Sequence, residues 1–86
     1  MDENSILAQL EELAESLAIE IRYELLKREG AFSPGGLIQL KGEYIVILNS
    51  KAPITDKIQT LAHAVSQFDL SQVYIRPGLR EYLEKL

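Results

Sequence analysis

The chain has no cysteine and a single histidine, His63. Without cysteine there is no disulfide framework and no thiolate metal site. Long apolar runs are also missing. The longest, Tyr44 to Leu48, is far shorter than the ~20 residues that span a bilayer as a helix. The start, Met1-Asp2-Glu3-Asn4, is acidic and lacks the basic segment and apolar run of a signal peptide, which makes a cytoplasmic location the expectation. Basic residues are sparse where acids collect: residues 1–21 hold six acids and no base. The nine Lys and Arg are scattered from Arg22 to Lys85, and the net charge is −4. A nucleic-acid binder needs clustered bases to displace counterions. Neither nucleic acid nor an anionic membrane is an expected partner.

What is present is apolar content. Hydrophobic residues make up 47% of 86, which excludes disorder by composition and sets one small domain, residues 1–86. A domain of this size buries only about 60–65% of the surface its unfolded chain exposes. Apolar surface is left that a dimer partner can cover.

Ser5 to Leu17 reads as a helix with Ile6, Leu7, Leu10, Leu13, Ala14 and Leu17 on one stripe, capped by Asn4 or Ser5. Glu11, Glu12 and Glu15 fall off the stripe, as a solvated face or as an acidic patch for a basic partner. Glu11 and Glu15 are helix neighbours with no partner motif for acid–base work. From Ile19 to Leu25 the period changes to two, which predicts a strand with one wet face. Lys27 to Gly36 is punctuated by Gly30, Pro34, Gly35 and Gly36 and reads as a loop, with Phe32 tucked onto the fold or offered to a partner. Its double glycine is no phosphate loop, because no Gly-Lys-Ser/Thr follows. Leu37–Lys41 and Tyr44–Asn49 read as strands around a type II′ turn at Gly42-Glu43. Tyr44 to Leu48 is apolar at every position, the pattern of an inner strand covered on both faces.

The clearest amphipathic helix runs from Ile54 to Phe68, with Thr55 as N-cap and Asp56 at the positive end of its dipole. Ile58, Leu61, Ala62, Val65 and Phe68 form its stripe, which sets His63 nearly opposite and Thr60 and Gln67 beside it. Ser66 lies three residues from His63, a spacing that occurs by chance. After a break at Asp69–Ser71, Val73–Ile75 suits a turn or short strand. Pro77 opens a last helix with Leu79, Tyr82, Leu83 and Leu86 on one side.

Thr60-Leu61-Ala62-His63 resembles the opening of the T-L-A-H-E-x-x-H helix of the ImmA/IrrE family of zinc metallopeptidases. The order of parts, a helix, a strand, a hairpin and then the metal helix, is similar too. In the intact motif two histidines one turn apart bind zinc and the glutamate between them acts as general base. Here His63 matches the first histidine. Ala64 stands where the glutamate belongs, and Gln67 where the second histidine belongs. Alanine takes no proton from water, and a carboxamide is a poor zinc ligand. The resemblance therefore implies a zincin-like scaffold without its chemistry. Glu81 or Glu84 as a further ligand would still leave the site incomplete.

These readings predict an α+β fold: an N-terminal helix, a three-stranded antiparallel sheet, a central amphipathic helix and a short C-terminal helix. The leading functional expectation is a non-catalytic interaction or structural module, homodimeric or part of a larger assembly, with no catalytic, cofactor-binding or metal residues. One alternative is a metal-dependent hydrolase remnant with residual zinc binding at His63. Another is a regulatory binder of a basic protein through the acidic first helix.

Overall fold

A computed structural model of the chain describes residues 2–25 and 35–86. The elements in order are α1 (Glu3–Ser16), β1 (Ile19–Glu24), β2 (Gly35–Leu40), β3 (Glu43–Asn49), α2 (Ile54–Val65) and α3 (Pro77–Glu84). The α+β class and the order of elements follow the sequence pattern. The sheet does not: its strand order is β1-β3-β2, with β3 antiparallel to β2 but parallel to β1. It is mixed rather than antiparallel throughout. Strand periodicity sets which side chains face inward but carries no direction, so it could not choose between the two pairings.

β3 takes the centre, as its apolar run predicts. Register pairs Ile19 with Tyr44 and Ile21 with Val46 on one side, and Leu37 with Val46 on the other. Ile19, Val46 and Leu48 point into the main core, where they meet Leu10, Leu13 and Ala14 of α1. Ile58, Leu61, Ala62, Ala64 and Val65 of α2 complete this core, with Ile75 and Leu79 from the tail. Ile45, flanked in register by Glu20 and Ile38, belongs to the opposite side of the sheet and is also buried. Each helix thus buries the stripe that its 3.6-residue period lays down. α1 packs on β1 and α2, and α2 packs on both β2 and β3.

The ends of the elements depart from the expectations in instructive ways. α1 begins earlier, capped by Asp2, whose Oδ1 accepts from the Ser5 amide at 2.8 Å. α2 has no side-chain cap: Pro53 holds the capping position, and Thr55 already lies inside the first turn. Its helical span closes at Val65, and Phe68 instead sets its ring edge-to-face on Tyr44 at 4.9 Å. The hairpin loop is Lys41-Gly42, one residue earlier than expected. Both residues have positive φ, 53° and 82°, so the turn is type I′, which matches the twist of the flanking strands. Gly35 and Gly36, assigned from sequence to the loop, are strand residues paired with Leu48 and Ile47. Val73–Ile75 forms no strand. Phe32 and the rest of the expected loop lie outside the described residues.

Candidate functional site

His63 sits on the exposed side of α2, as its place opposite the apolar stripe requires. It opens onto a cleft between that helix and the start of β2, lined by Gly35, Gly36, Leu37, Thr60, His63, Ala64 and Gln67. The two glycines keep the strand wall of this cleft low, because neither projects a side chain. Thr60, His63 and Gln67 meet here because residues three and four apart share one helix face.

Among the described residues the donor set of the cleft is one imidazole, one hydroxyl and one carboxamide. Gln67 turns its amide nitrogen back to the His63 carbonyl oxygen, 3.4 Å away, and the Ser66 hydroxyl donates to the same oxygen at 2.9 Å. Ser66 is therefore engaged with the His63 backbone and not with its ring. Ala64, where the metallopeptidase motif carries its base, is 2% exposed and packs with the core. Glu81 bonds to the Lys85 ammonium at 3.2 Å, one turn along α3, and neither Glu81 nor Glu84 lines the cleft. Among the described residues no three His, Cys, Asp or Glu side chains gather as a metal-binding group.

A second polar cluster, which the sequence did not single out, ties both main helices to β1. The Tyr23 hydroxyl donates to the Glu11 carboxylate, and the Lys57 ammonium lies 5.6 Å from the centre of the Tyr23 ring. Partial burial, followed by the carboxylate beside it, raises the Tyr23 pKa above its ordinary value. The alternation of Ile19, Ile21 and Tyr23 already placed this tyrosine on the inward face, but nothing in the sequence indicated which acid it would meet.

Of Glu11, Glu12 and Glu15 on α1, two have partners within the chain. Glu11 accepts from Tyr23, and Glu12 lies 3.8 Å from the Arg76 guanidinium, both of that pair well exposed. An ion pair so open to water contributes little.

Exposed large apolar residues are spread over the surface, among them Tyr23, Leu25, Tyr44, Tyr74 and Leu86 besides a pair on β2. Ile38 and Leu40, on the outward side of β2, are 43% and 51% exposed. They follow Gly36 at the same period-two positions; Ile38 lies opposite Ile45 of β3 and Leu40 opposite Glu43. Among the described residues no helix is long and apolar enough to cross a membrane. No family model matches the chain, and no curated protein and no solved structure matches it.

Proposed function

We propose that the chain is a non-catalytic interaction module on a zincin-like scaffold, and that it works by presenting the β2 side of its sheet to a protein partner. The observation that carries this reading is the exposed pair Ile38 and Leu40 on an outer strand. Aliphatic side chains exposed on an outer strand supply the apolar surface that strand-mediated association uses. The composition of the His63 cleft supports the non-catalytic part. Among the described residues that line it there is no carboxylate to act as base and no second imidazole.

The acidic face of α1 is less suited to capturing a basic partner. Glu11 would first have to leave the Tyr23 hydroxyl.

Native mass spectrometry of protein purified without chelator tests the reading. The expected result is a metal-free species that forms a non-covalent complex. One equivalent of zinc that disappears in His63→Ala would overturn the non-catalytic part and restore the hydrolase alternative.

A further inference from the structure

α1 and the stretch that leads into α3 form a cleft of about 480 Å³, within the range of roughly 300–1,000 Å³ typical of small-molecule sites. Gln9, Glu12, Leu13 and Ser16 of α1 line it, because residues three and four apart share one helix face. The other wall comes from Val73–Arg76. This stretch joins no sheet, yet its side chains alternate: Ile75 is buried and Val73 half-buried, while Tyr74 between them is 81% exposed. Pro77 then opens α3, which adds Leu79 to the cleft.

The floor of the cleft is apolar, made by Leu13, Ile75 and Leu79 with Val73 beside them. Its rim carries one charge of each sign. Among the described residues that line it, Glu12 and Arg76 are the charged ones. Glu11 is held by the Tyr23 hydroxyl, and Glu15 lines a different cleft beside Phe68. The Ser16 hydroxyl is donated to the Leu13 carbonyl oxygen at 2.7 Å. Glu12 and Arg76 approach to 3.8 Å, beyond the ~2.7–2.9 Å of a charge-assisted hydrogen bond. Both side chains are more than half exposed and open to a ligand.

We infer that this cleft binds a free α-amino acid with an apolar side chain. The ligand carboxylate accepts from the Arg76 guanidinium, its ammonium donates to the Glu12 carboxylate, and its side chain lies on the apolar floor. Charge complementarity selects this class of ligand. A simple anion is drawn to Arg76 but opposed by Glu12, and a simple cation meets the reverse. An α-amino acid carries both charges on one carbon and satisfies the two side chains at once. The internal units of a peptide are uncharged and each chain end carries a single charge, so a peptide engages one partner at most. Entry of the ligand separates an exposed ion pair that contributes little and replaces it with two charge-assisted hydrogen bonds. This site is separate from the β2 surface and does not depend on it.

Titration with L-leucine, followed by the amide chemical shifts of isotope-labelled protein, tests this. Leucine is expected to shift Leu13, Val73 and Arg76 and to leave Thr60 and His63 unmoved. Isocaproate lacks the ammonium, isopentylamine lacks the carboxylate, and glycine lacks the side chain. Each is expected to bind at least about tenfold more weakly than leucine. Glu12→Gln and Arg76→Gln alter exposed side chains and should leave the fold intact. Glu12→Gln is expected to bind leucine about tenfold more weakly and isocaproate no more weakly. Arg76→Gln should lose leucine to the same degree and isopentylamine not at all. The absence of any shift at ~10 mM leucine, above the range of ordinary weak binding, overturns the site. Shifts that fall outside the cleft overturn it too. Equal binding of N-acetyl-leucine amide, which carries neither charge, overturns the zwitterion and makes the cleft a site for apolar peptide. Any of these failures leaves the β2 surface as it stands, since the mass spectrometry above reads that surface separately.

Discussion

The Tyr23 hydroxyl of β1 hydrogen-bonds to the Glu11 carboxylate of α1, across twelve residues of sequence. The same ring lies under the Lys57 ammonium of α2. One side chain thus meets both main helices at the edge of the core. Burial first, and then the neighbouring carboxylate, hold the phenol protonated above its usual pKa near 10.

A pH dependence follows with a definite sign. Tyr23 binds its proton more tightly in the folded state than in the unfolded one. Its contribution to stability is fully present below pH ~10, where both states are protonated, and is lost as pH rises toward the folded value. Unfolding free energy measured by urea titration should fall between pH 9 and 11. In Tyr23→Phe the part of this slope due to the phenol should vanish. An unchanged slope would show that Tyr23 is not linked to folding in this range.

Gly35 and Gly36 are adjacent in β2 but not equivalent. Gly35 has φ +122°, and a Cβ there would overlap the Ile47 carbonyl oxygen of β3. A Cβ on Gly36 meets nothing within 4 Å. Gly35→Ala should destabilise by at least ~2 kcal/mol, since the strand pair must separate to admit the methyl group. Gly36→Ala should change stability by less than about 1 kcal/mol. Paired urea midpoints decide this, and equal effects would mean that the close approach of β2 to β3 is not as described.

Ala18 joins α1 to β1 with φ 61°, the left-handed conformation in which glycine is commonest. For an L-residue this costs roughly 1–2 kcal/mol. Ala18→Gly relieves it but loses about 0.4–1 kcal/mol through the freer unfolded chain. The net expectation is a gain of about 0.5–1 kcal/mol, seen as a rise in melting temperature. A drop would mean that the Ala18 methyl makes a contact worth more than the strain.

These positions show where the sequence was readable and where it was not. The stripes of α1 and α2 were legible because a 3.6-residue repeat of large apolar side chains has few other ways to be buried. The central place of β3 was legible from its unbroken run of apolar residues. The direction of β1 was not, because Ile19, Ile21 and Tyr23 alternate identically in either direction. The turn was misplaced because a lysine in the left-handed region, Lys41, carries no signal of its own. At the candidate site, helical spacing correctly put His63 and Gln67 side by side. It could not show that Gly35 and Gly36 form the opposite wall, since a glycine pair reads as loop unless the strand it begins is already known. Tyr23 and Glu11 could not be paired at all, because nothing local to either residue selects the other.

Asn49 closes β3 and is 1% exposed, the one polar side chain so deeply buried among the described residues. Its Oδ1 accepts from the Lys51 amide at 3.0 Å, while its carbonyl accepts from the Ala52 amide at 3.0 Å. The Ser50 amide bonds to the Glu24 carbonyl at 2.9 Å, joining this turn to the end of β1. The side chain therefore folds the chain out of the strand and aims it at Pro53, where α2 begins. No capping side chain assists that helix, so the turn before it carries more of the entry geometry. Asn49→Ala removes an acceptor and leaves a void behind the turn, at an expected cost of about 1–3 kcal/mol. Asn49→Ser retains a shorter acceptor able to make the same kind of local bond and should recover part of the loss. Hydrogen exchange supplies the second readout. In Asn49→Ala the amide of Lys51 and the first turn of α2 should exchange faster, while α1 loses only what global destabilisation accounts for. Uniform acceleration across both helices would mean that Asn49 contributes general packing and does not set the start of α2.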